Sequence, residues 1–361
     1  MFLRAFLLRV NLRPPGSPFQ SYIMLRFLSP QKVFFMQRLL ITSTGLVLLL
    51  LVGCNQNELH SHNSSASGAT IAHTFTGEYP IKIVCSTGQV AEMILRIGGE
   101  QVQVDALMGP GVDPHLFRPR SIHVKQLGNA DAIFFNGLHL EGRMSDLFAQ
   151  MARSKATYAV TQGLQTRGDK RLRQPPEFVG MYDPHVWHDV ALWSDCVNDT
   201  AQVLAEFDPK NANLYRQNAA AYRAELAELD SYCKSEIAKI PKEHRVLVTA
   251  HDAFGYFGKA YGLEVYGLKG ISSDEEINLE HHEEIQKMLI ERKIPAVFVE
   301  SAIAPRTIEA LVEPCRDAGL DLKVGGELYA DALGPAGTED STYTGMIRHN
   351  VQTIVAALSS E

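Results

Sequence analysis

The 361-residue sequence is poor in cysteine, and its five cysteines form no Cys-x-x-Cys pair and no dense framework, so nothing in it reads as a thiolate metal site or a disulfide-stapled fold. Cys85, Cys196, Cys233 and Cys315 are expected to be mostly buried thiols. Excess positive charge is also missing. The formal net charge is -7, which leaves no basic field for nucleic acid. No His-Glu-x-x-His occurs, so the commonest helical signature of a zinc hydrolase is absent. The apolar run Leu39–Val52 is interrupted at Thr42, Ser43, Thr44 and Gly45, and it is too short for a membrane span of roughly 20 residues. At 45% hydrophobic and 21% charged, the composition excludes bulk disorder, and the length exceeds that of one average domain.

What is present begins with an export signal. Gln37-Arg38, the apolar run and Leu51-Val52-Gly53-Cys54 give a charged start, an apolar core and small residues before a cut. Leu-Val-Gly-Cys resembles a bacterial lipobox, which makes Cys54 a lipid anchor and residues 1–54 a signal peptide, with either a long charged start or translation beginning at Met24 or Met36. A diacylated cysteine gives the second chain that stable anchoring needs. Residues 55–79, rich in Ser, Asn, Gly and Thr, read as a flexible tether, with His60, His62 and His73 as exposed polar residues.

From Ile81 onward, strands and helices alternate. Strands are predicted at 81–85, 102–108, 132–135, 246–249, 264–266, 296–299 and 322–324, with helices between them and a closing helix at Tyr343–Leu358. The pattern is that of βαβ units with parallel sheets. Between the two runs, Asp208-Pro209 opens a helical segment with Leu214, Ala221, Leu226, Leu229, Cys233, Ile237 and Ile240 on its apolar side, ended by Pro241. The organisation read from this is an N-terminal lobe over 80–207, a linking helix over 208–241 and a C-terminal lobe over 242–361.

Four loops stand at the carboxyl ends of predicted strands, where open α/β sheets place ligands. They carry Asp113-Pro114-His115, Asp183-Pro184-His185-Val186-Trp187-His188-Asp189, His251-Asp252 and Tyr329-Ala330-Asp331. A single loop histidine is usually structural, but two Asp-Pro-His tripeptides in separate loops strengthen a metal reading, because neutral imidazole is the commonest metal ligand and a carboxylate completes the charge. These segments resemble the metal-binding receptors of zinc/manganese ABC importers, the cluster A-I solute-binding lipoproteins also described as metal-binding adhesin-like lipoproteins. The resemblance is closest to Tro-type members, through Ala-His-Asp-Ala-Phe-Gly-Tyr-Phe at 250–257. It runs from about Ile81 to the C-terminus.

The resemblance implies two four-stranded parallel-sheet α/β domains joined by a single long backbone helix. It implies one divalent transition-metal ion, Zn2+ or Mn2+, held between them by His115, His185, His251 and Asp331. It further implies no catalysis, a monomer, delivery to the transmembrane subunit of an ABC permease, and a location in the periplasm or on the outer face of the cytoplasmic membrane. The stretch Gly163–Gly180 departs from strongly zinc-selective members: it has no histidine and is basic, with Arg167, Lys170, Arg171 and Arg173.

His188 is expected beside the ligands or at the surface, with substitution for His185 as the other reading. Glu300 either orients a ligand histidine or caps the following helix. His281-His282 is read as a solvated helix face, His123, His139, His244 and His349 as structural, and Trp187 and Trp193 as core. Two rival classes fit the same residues: a zinc hydrolase with Asp252 or Glu300 as base, and an adhesin with a structural metal.

Overall fold

Ile81-Lys82-Ile83-Val84-Cys85 is β-branched, apolar and almost wholly buried, and it forms β1 (Ile81–Cys85) in the interior of a sheet. The computed structural model, which describes residues 73–359 apart from 177 and 179, sets β2 (Val102–Ala106), β3 (Ala132–Phe135) and β4 (Ala156–Ala159) around it. The order is β2-β1-β3-β4, and every pair is parallel. Helix α1 (Gly88–Gly98) starts where the Thr87 hydroxyl accepts the Val90 amide and stops at Gly99, whose φ of 55° suits glycine. Helices α2 (Ser121–Asn129), α3 (Ser145–Met151) and α4 (Gln162–Thr166) complete this half. The signal segment, Cys54 and residues 55–72, with His60 and His62, lie outside the described residues.

The second half runs β5 (Val246–His251), α7 (Gly255–Tyr261), β6 (Glu264–Lys269), α8 (Leu279–Arg292), β7 (Ala296–Glu300), α9 (Arg306–Asp317), β8 (Lys323–Leu328) and α10 (Tyr343–Leu358). Its four strands form two parallel pairs, β5–β6 and β7–β8, with β5 beside β7, where one continuous sheet was expected. At their carboxyl ends the pairs are joined through a side chain: the Glu300 carboxylate accepts the His251 amide at 2.9 Å. A side chain inserted there holds the strands wider than the roughly 4.8 Å of a backbone ladder.

Between the halves stand two long helices, α5 (Val190–Phe207) and α6 (Ala212–Ile237), joined by a tight turn at Pro209–Asn211. The sequence reading recovered only the second and extended it too far in both directions. The two run antiparallel, because Arg223 reaches Ser194 and Asn198 whereas Arg216, earlier on α6, reaches Gln202, later on α5. The buried side of α6 is Tyr215, Ala219, Tyr222, Leu226, Leu229, Cys233 and Ile237, in steps of three and four. Tyr215 and Tyr222 take the places that Leu214 and Ala221 were expected to fill. At 26 residues the helix spans roughly 39 Å. At its middle it meets α1, through Tyr222–Glu92 at 2.7 Å and Arg96–Glu225 at 2.6 Å. Near its end it meets α10, where the Arg348 guanidinium lies 4.3 Å from the Tyr232 ring centre.

One cluster of buried apolar side chains runs through both halves and includes Trp187, Trp193 and Tyr343; a smaller one, with Val84, Ile133 and Phe148, backs the first sheet. The four described cysteines are free and buried. Phe75 and Tyr79, assigned to the tether by sequence, instead pack on the end of α5: the Phe75 amide donates to the Phe207 carbonyl at 2.6 Å and the Tyr79 hydroxyl to Asp208 at 2.8 Å. An apolar pair of aromatic rings, Phe75 on Phe207, anchors that start of the folded body.

Because α6 touches both halves, its core face is where truncation should cost most. Leu229→Ala should lower unfolding free energy by about 2–5 kcal/mol in urea melts. Glu228→Ala, one residue away on the exposed side, should stay within about 0.5 kcal/mol. Equal effects would contradict the packing described.

Candidate metal centre

The two Asp-Pro-His tripeptides fold the same way. In each, the aspartate Oδ1 accepts the backbone amide of the histidine two residues on, at 2.9 Å, while proline fixes the residue between. The turn after β2 thereby presents His115, and the turn before α5 presents His185. In the first copy, the other Asp113 oxygen takes the Ser273 hydroxyl from the loop after β6. In the second, Asp183 Oδ1 also takes the His185 ring, with Nδ1 at 2.8 Å, and Oδ2 pairs with Arg173.

His251 is the last residue of β5. Glu300 accepts its ring Nδ1–H at 2.6 Å as well as its amide, so one carboxylate holds backbone and ring together. Asp331 follows β8 on a loop clamped at two points. The Asn350 side chain exchanges two hydrogen bonds with the Tyr329 backbone, at 2.9 and 2.8 Å, and the Ala330 carbonyl accepts from Trp187 Nε1 and His188 Nε2 at 2.9 and 3.0 Å.

The four residues that the resemblance implies as ligands therefore converge. Each offers one donor atom, and all four atoms lie within 4.8 Å of one another. His115 Nε2 is 3.2 Å from His185 Nε2. Asp331 Oδ1 is 3.4 Å from His185 Nε2, and Oδ2 is 3.3 Å from His251 Nε2 and 3.7 Å from His115 Nε2. All four are buried. His115 is the most accessible at 8%, against 2% for Asp331 and 0% for the other two. Among the described residues, His251 Nε2 and both Asp331 oxygens have no hydrogen-bond partner. Buried polar atoms left this way are costly unless something meets them, and this set of nitrogen and oxygen donors fits a transition-metal dication.

The electrostatics of the metal-free chain follow from the same contacts. Burial pushes the His185 imidazole down, but Asp183 and Asp331 outweigh it and hold it up at about 9. Burial likewise opposes protonation of His251, and Glu300 and Asp331 override it, raising that ring well above the ordinary value. Burial would raise Asp331, yet His251 and His185 hold it well below the usual carboxylate range. His115 has no carboxylate on Nδ1 among the described residues, and burial lowers it to about 3.

The other candidates sort clearly. His188 is not at the surface: it is fully buried, its ring lies 4.3 Å from that of Phe254, and it donates to the carbonyl preceding Asp331. Burial also lowers it to about 3. Glu300 does not cap α9, which starts at Pro305 without a side-chain cap; both of its oxygens are engaged by His251. His281, half-exposed, bonds the Gly267 carbonyl, and His123, His244 and His349 each bond backbone. Asp183 and Arg173 were not singled out by sequence. The signal for Asp183 was its place in the tripeptide, shared with Asp113; Arg173 had none.

Comparison with known proteins agrees with this geometry. A model of the family described as ZnuA, zinc-uptake complex component A, periplasmic, matches residues 83–357. The chain is 40% identical over 283 residues to the manganese-binding lipoprotein MntA of Bacillus subtilis, covering 78% of this chain and 91% of that protein. It is 41% identical over 277 residues to the zinc-binding protein TroA of Treponema pallidum, covering 77% and 88%. The solved structure of the periplasmic zinc-binding TroA from the same organism superposes with a TM-score of 0.74 at 40% identity, over 79% of this chain and 100% of that one. A match that extends from β1 to the closing helix, shared with relatives aligned over nearly their whole length, makes this chain a member of the ZnuA family of metal-binding receptors.

Proposed function

We propose that this protein is an exported receptor that captures one Zn2+ or Mn2+ ion on His115, His185, His251 and Asp331 and delivers it to the transmembrane subunit of an ABC importer. The observation that carries this reading is the convergence of four buried donor atoms from four distant segments. A tetrahedral ion with bonds of about 2.0–2.1 Å has its ligand atoms roughly 3.3–3.4 Å apart. Separations of 3.2, 3.3, 3.4 and 3.7 Å, the last three measured to one or the other Asp331 oxygen, lie close to that spacing, and no two of the four donor atoms are more than 4.8 Å apart. Asp331 turns one oxygen toward His185 and the other toward His251 and His115, so it can offer one donor or two. The first suits four-coordinate zinc and the second a five-coordinate ion such as manganese.

Four protein ligands leave no vertex for an activated water, unlike catalytic zinc with its open position. Glu300, the candidate base of a hydrolase, is already spent on His251. The ion is therefore cargo. Metal entry and exit involve a modest tilt between an N-terminal lobe (80–207) and a C-terminal lobe (242–361) about the connecting segment 208–241, because the shared apolar core and α6 resist wide opening. Export through the segment 1–54 and lipidation at Cys54 are supported by Leu51-Val52-Gly53-Cys54 and by the lipoprotein names of relatives such as MntA. The receptor works as a monomer on the outer face of the cytoplasmic membrane or in the periplasm.

Elemental analysis tests the reading directly. Wild type should retain about one zinc or manganese per chain after dialysis, and His251→Ala should retain almost none while staying folded. A stoichiometry unchanged by that substitution would refute the site.

Proton release is a second expectation. Both His185 and His251 hold protons at pH 7 in the metal-free chain, and a metal needs them neutral. Binding should thus release protons, and affinity should weaken as pH falls below about 9, the level of His185, with His251 shifted in the same direction. The stability that protonated His185 gives the metal-free fold runs the other way: it is fully present below the unfolded value and is lost as pH rises through about 9. Calorimetric titration in buffers of different ionisation enthalpy reads the protons, and a buffer-independent heat would contradict the scheme.

Glu300→Gln should keep the fold and weaken metal binding by about 10–100-fold, because the amide holds the ring less firmly and withdraws the carboxylate charge. Competition against a metal-sensitive dye measures it.

A further inference from the structure

Arg173 lies outside the ligand set, yet it joins the support of one ligand to the chain neighbour of another. Its guanidinium pairs with Asp183 through Nη1 and faces Asp252 through Nη2 at 3.4 Å. Asp183 holds the His185 ring, and Asp252 directly follows His251. Around this pair the backbone is interlocked. The Arg173 amide donates to the Tyr256 hydroxyl at 3.0 Å, that hydroxyl donates to the Asp183 carbonyl at 3.0 Å, and the Asp183 amide donates to the Arg173 carbonyl at 3.0 Å. Room for the guanidinium is reserved at Gly255, where an added Cβ would fall 1.3 Å from Nη1.

The neighbouring arginines behave differently. Arg167 and Arg171 pair with Asp199, Asp169 and Asp195 at half-exposed positions along α5, where ion pairs contribute little. Asp183 is fully buried, so its charge depends on the donors it has. Arg173 comes from the segment before α5, and Asp252 and Tyr256 from the second half. The bridge therefore fixes the separation of His185 from His251.

We propose that Arg173 is a positioning residue that governs how long the metal stays bound, by tying the support of His185 to Asp252, the residue that follows His251 at the end of β5. This rests on the metal site proposed above. With the tie intact, the two imidazoles can leave the ion only together; without it, one can swing away while the other remains. The loss should then appear in the dissociation rate, with association little changed. Lysine can meet Asp183 as a point charge but cannot fork between two carboxylates.

The test is release of Co2+ into excess chelator, followed by stopped-flow absorbance, in the full chain and four variants, with the visible Co2+ spectrum and metal-free thermal melts recorded for each. Arg173→Met should release metal about 10–100-fold faster than wild type, and Arg173→Lys should recover part of that. Asp252→Asn, which leaves the Arg173–Asp183 pair in place, should also speed release while keeping the Co2+ spectrum and melting temperature of wild type. Combining Arg173→Met with Asp252→Asn should release no faster than Arg173→Met alone. Arg143→Ala removes a more exposed ion pair, to Asp274, which also joins the two halves, and should release metal as wild type does. Release from Asp252→Asn at the wild-type rate, additive effects in the double variant, or equal acceleration in Arg143→Ala would overturn the role. If Arg173→Met fails to fold, Asp252→Asn decides alone. A wild type that takes up no metal overturns the receptor reading itself, which normal uptake with unaltered release would not.

Discussion

The pairing of a buried carboxylate with the outer nitrogen of an imidazole is the constraint from which the centre follows. Asp183 and Glu300 each accept both the amide and the ring Nδ1–H of one histidine, so each chelates its residue and leaves only Nε2 facing inward. The ring direction is thereby set before any ion arrives, and the nitrogen left to give up its proton to a metal is Nε2. Burying two carboxylates is costly, and the structure offsets the cost with the amide and ring donors on each and with Arg173 on Asp183. His115 is built otherwise. Its aspartate holds the turn and leaves the ring alone.

Charge accounting explains why such a site can be filled and emptied without rebuilding the protein. In the metal-free chain the Asp331 carboxylate lies between the His185 and His251 imidazoles, both shifted toward their protonated forms, and each ring has a second carboxylate, Asp183 or Glu300, on its other nitrogen. A dication on the same donors would bring the kind of positive charge that those protons bring, so one can replace the other inside the buried network and limit the uncompensated interior charge that destabilises folds by several kcal/mol. A receptor must be stable in both states, whereas a structural metal would be needed for folding.

Much of this was legible in the primary structure, and the parts that were not share a physical cause. Strands dominated by β-branched and apolar residues, such as β1 and β5, announce themselves, as do the two Asp-Pro-His turns, because their signals are local. Strand β4, Ala156-Thr157-Tyr158-Ala159, is short and only partly buried, so no apolar run marks it. Helix α5 has so broad a buried face, and begins so close to the His185 turn, that its period is blurred by residues serving the site. Glu300 was read either as orienting a ligand histidine or as a helix cap, and Asp183 was not singled out, because in sequence each looks like any carboxylate at a strand end or turn. What distinguishes them is the direction of a ring two residues away in one case and 49 residues away in the other. Arg173 read only as one of several basic residues in the stretch 163–180 because one of its partners lies 79 residues along the chain.

The same contacts rank the four donor residues by how firmly each is held. His185 and Asp331 are linked beyond the ion, since Trp187 and His188, two and three residues after His185, both donate to the carbonyl preceding Asp331, and the Tyr343 hydroxyl holds the Trp187 carbonyl at 2.6 Å. His251 is bound to β7 through Glu300 and shares the Arg173 bridge. These three ligands form one interlocked platform. His115 sits apart on the turn after β2, is the most exposed of the four, and is tied across to the second half through Asp113–Ser273, with Arg143 bonding both the Leu116 carbonyl and Asp274. The Asp113–Ser273 tie is partly shielded because Ser273 is buried, whereas the Arg143–Asp274 pair is more exposed and contributes little against solvent and salt. The firmness of the centre therefore rests on the platform, where Asp183, Glu300 and the Arg173 bridge back two of the imidazoles, and His115, with no carboxylate behind its ring among the described residues, completes it from the other side.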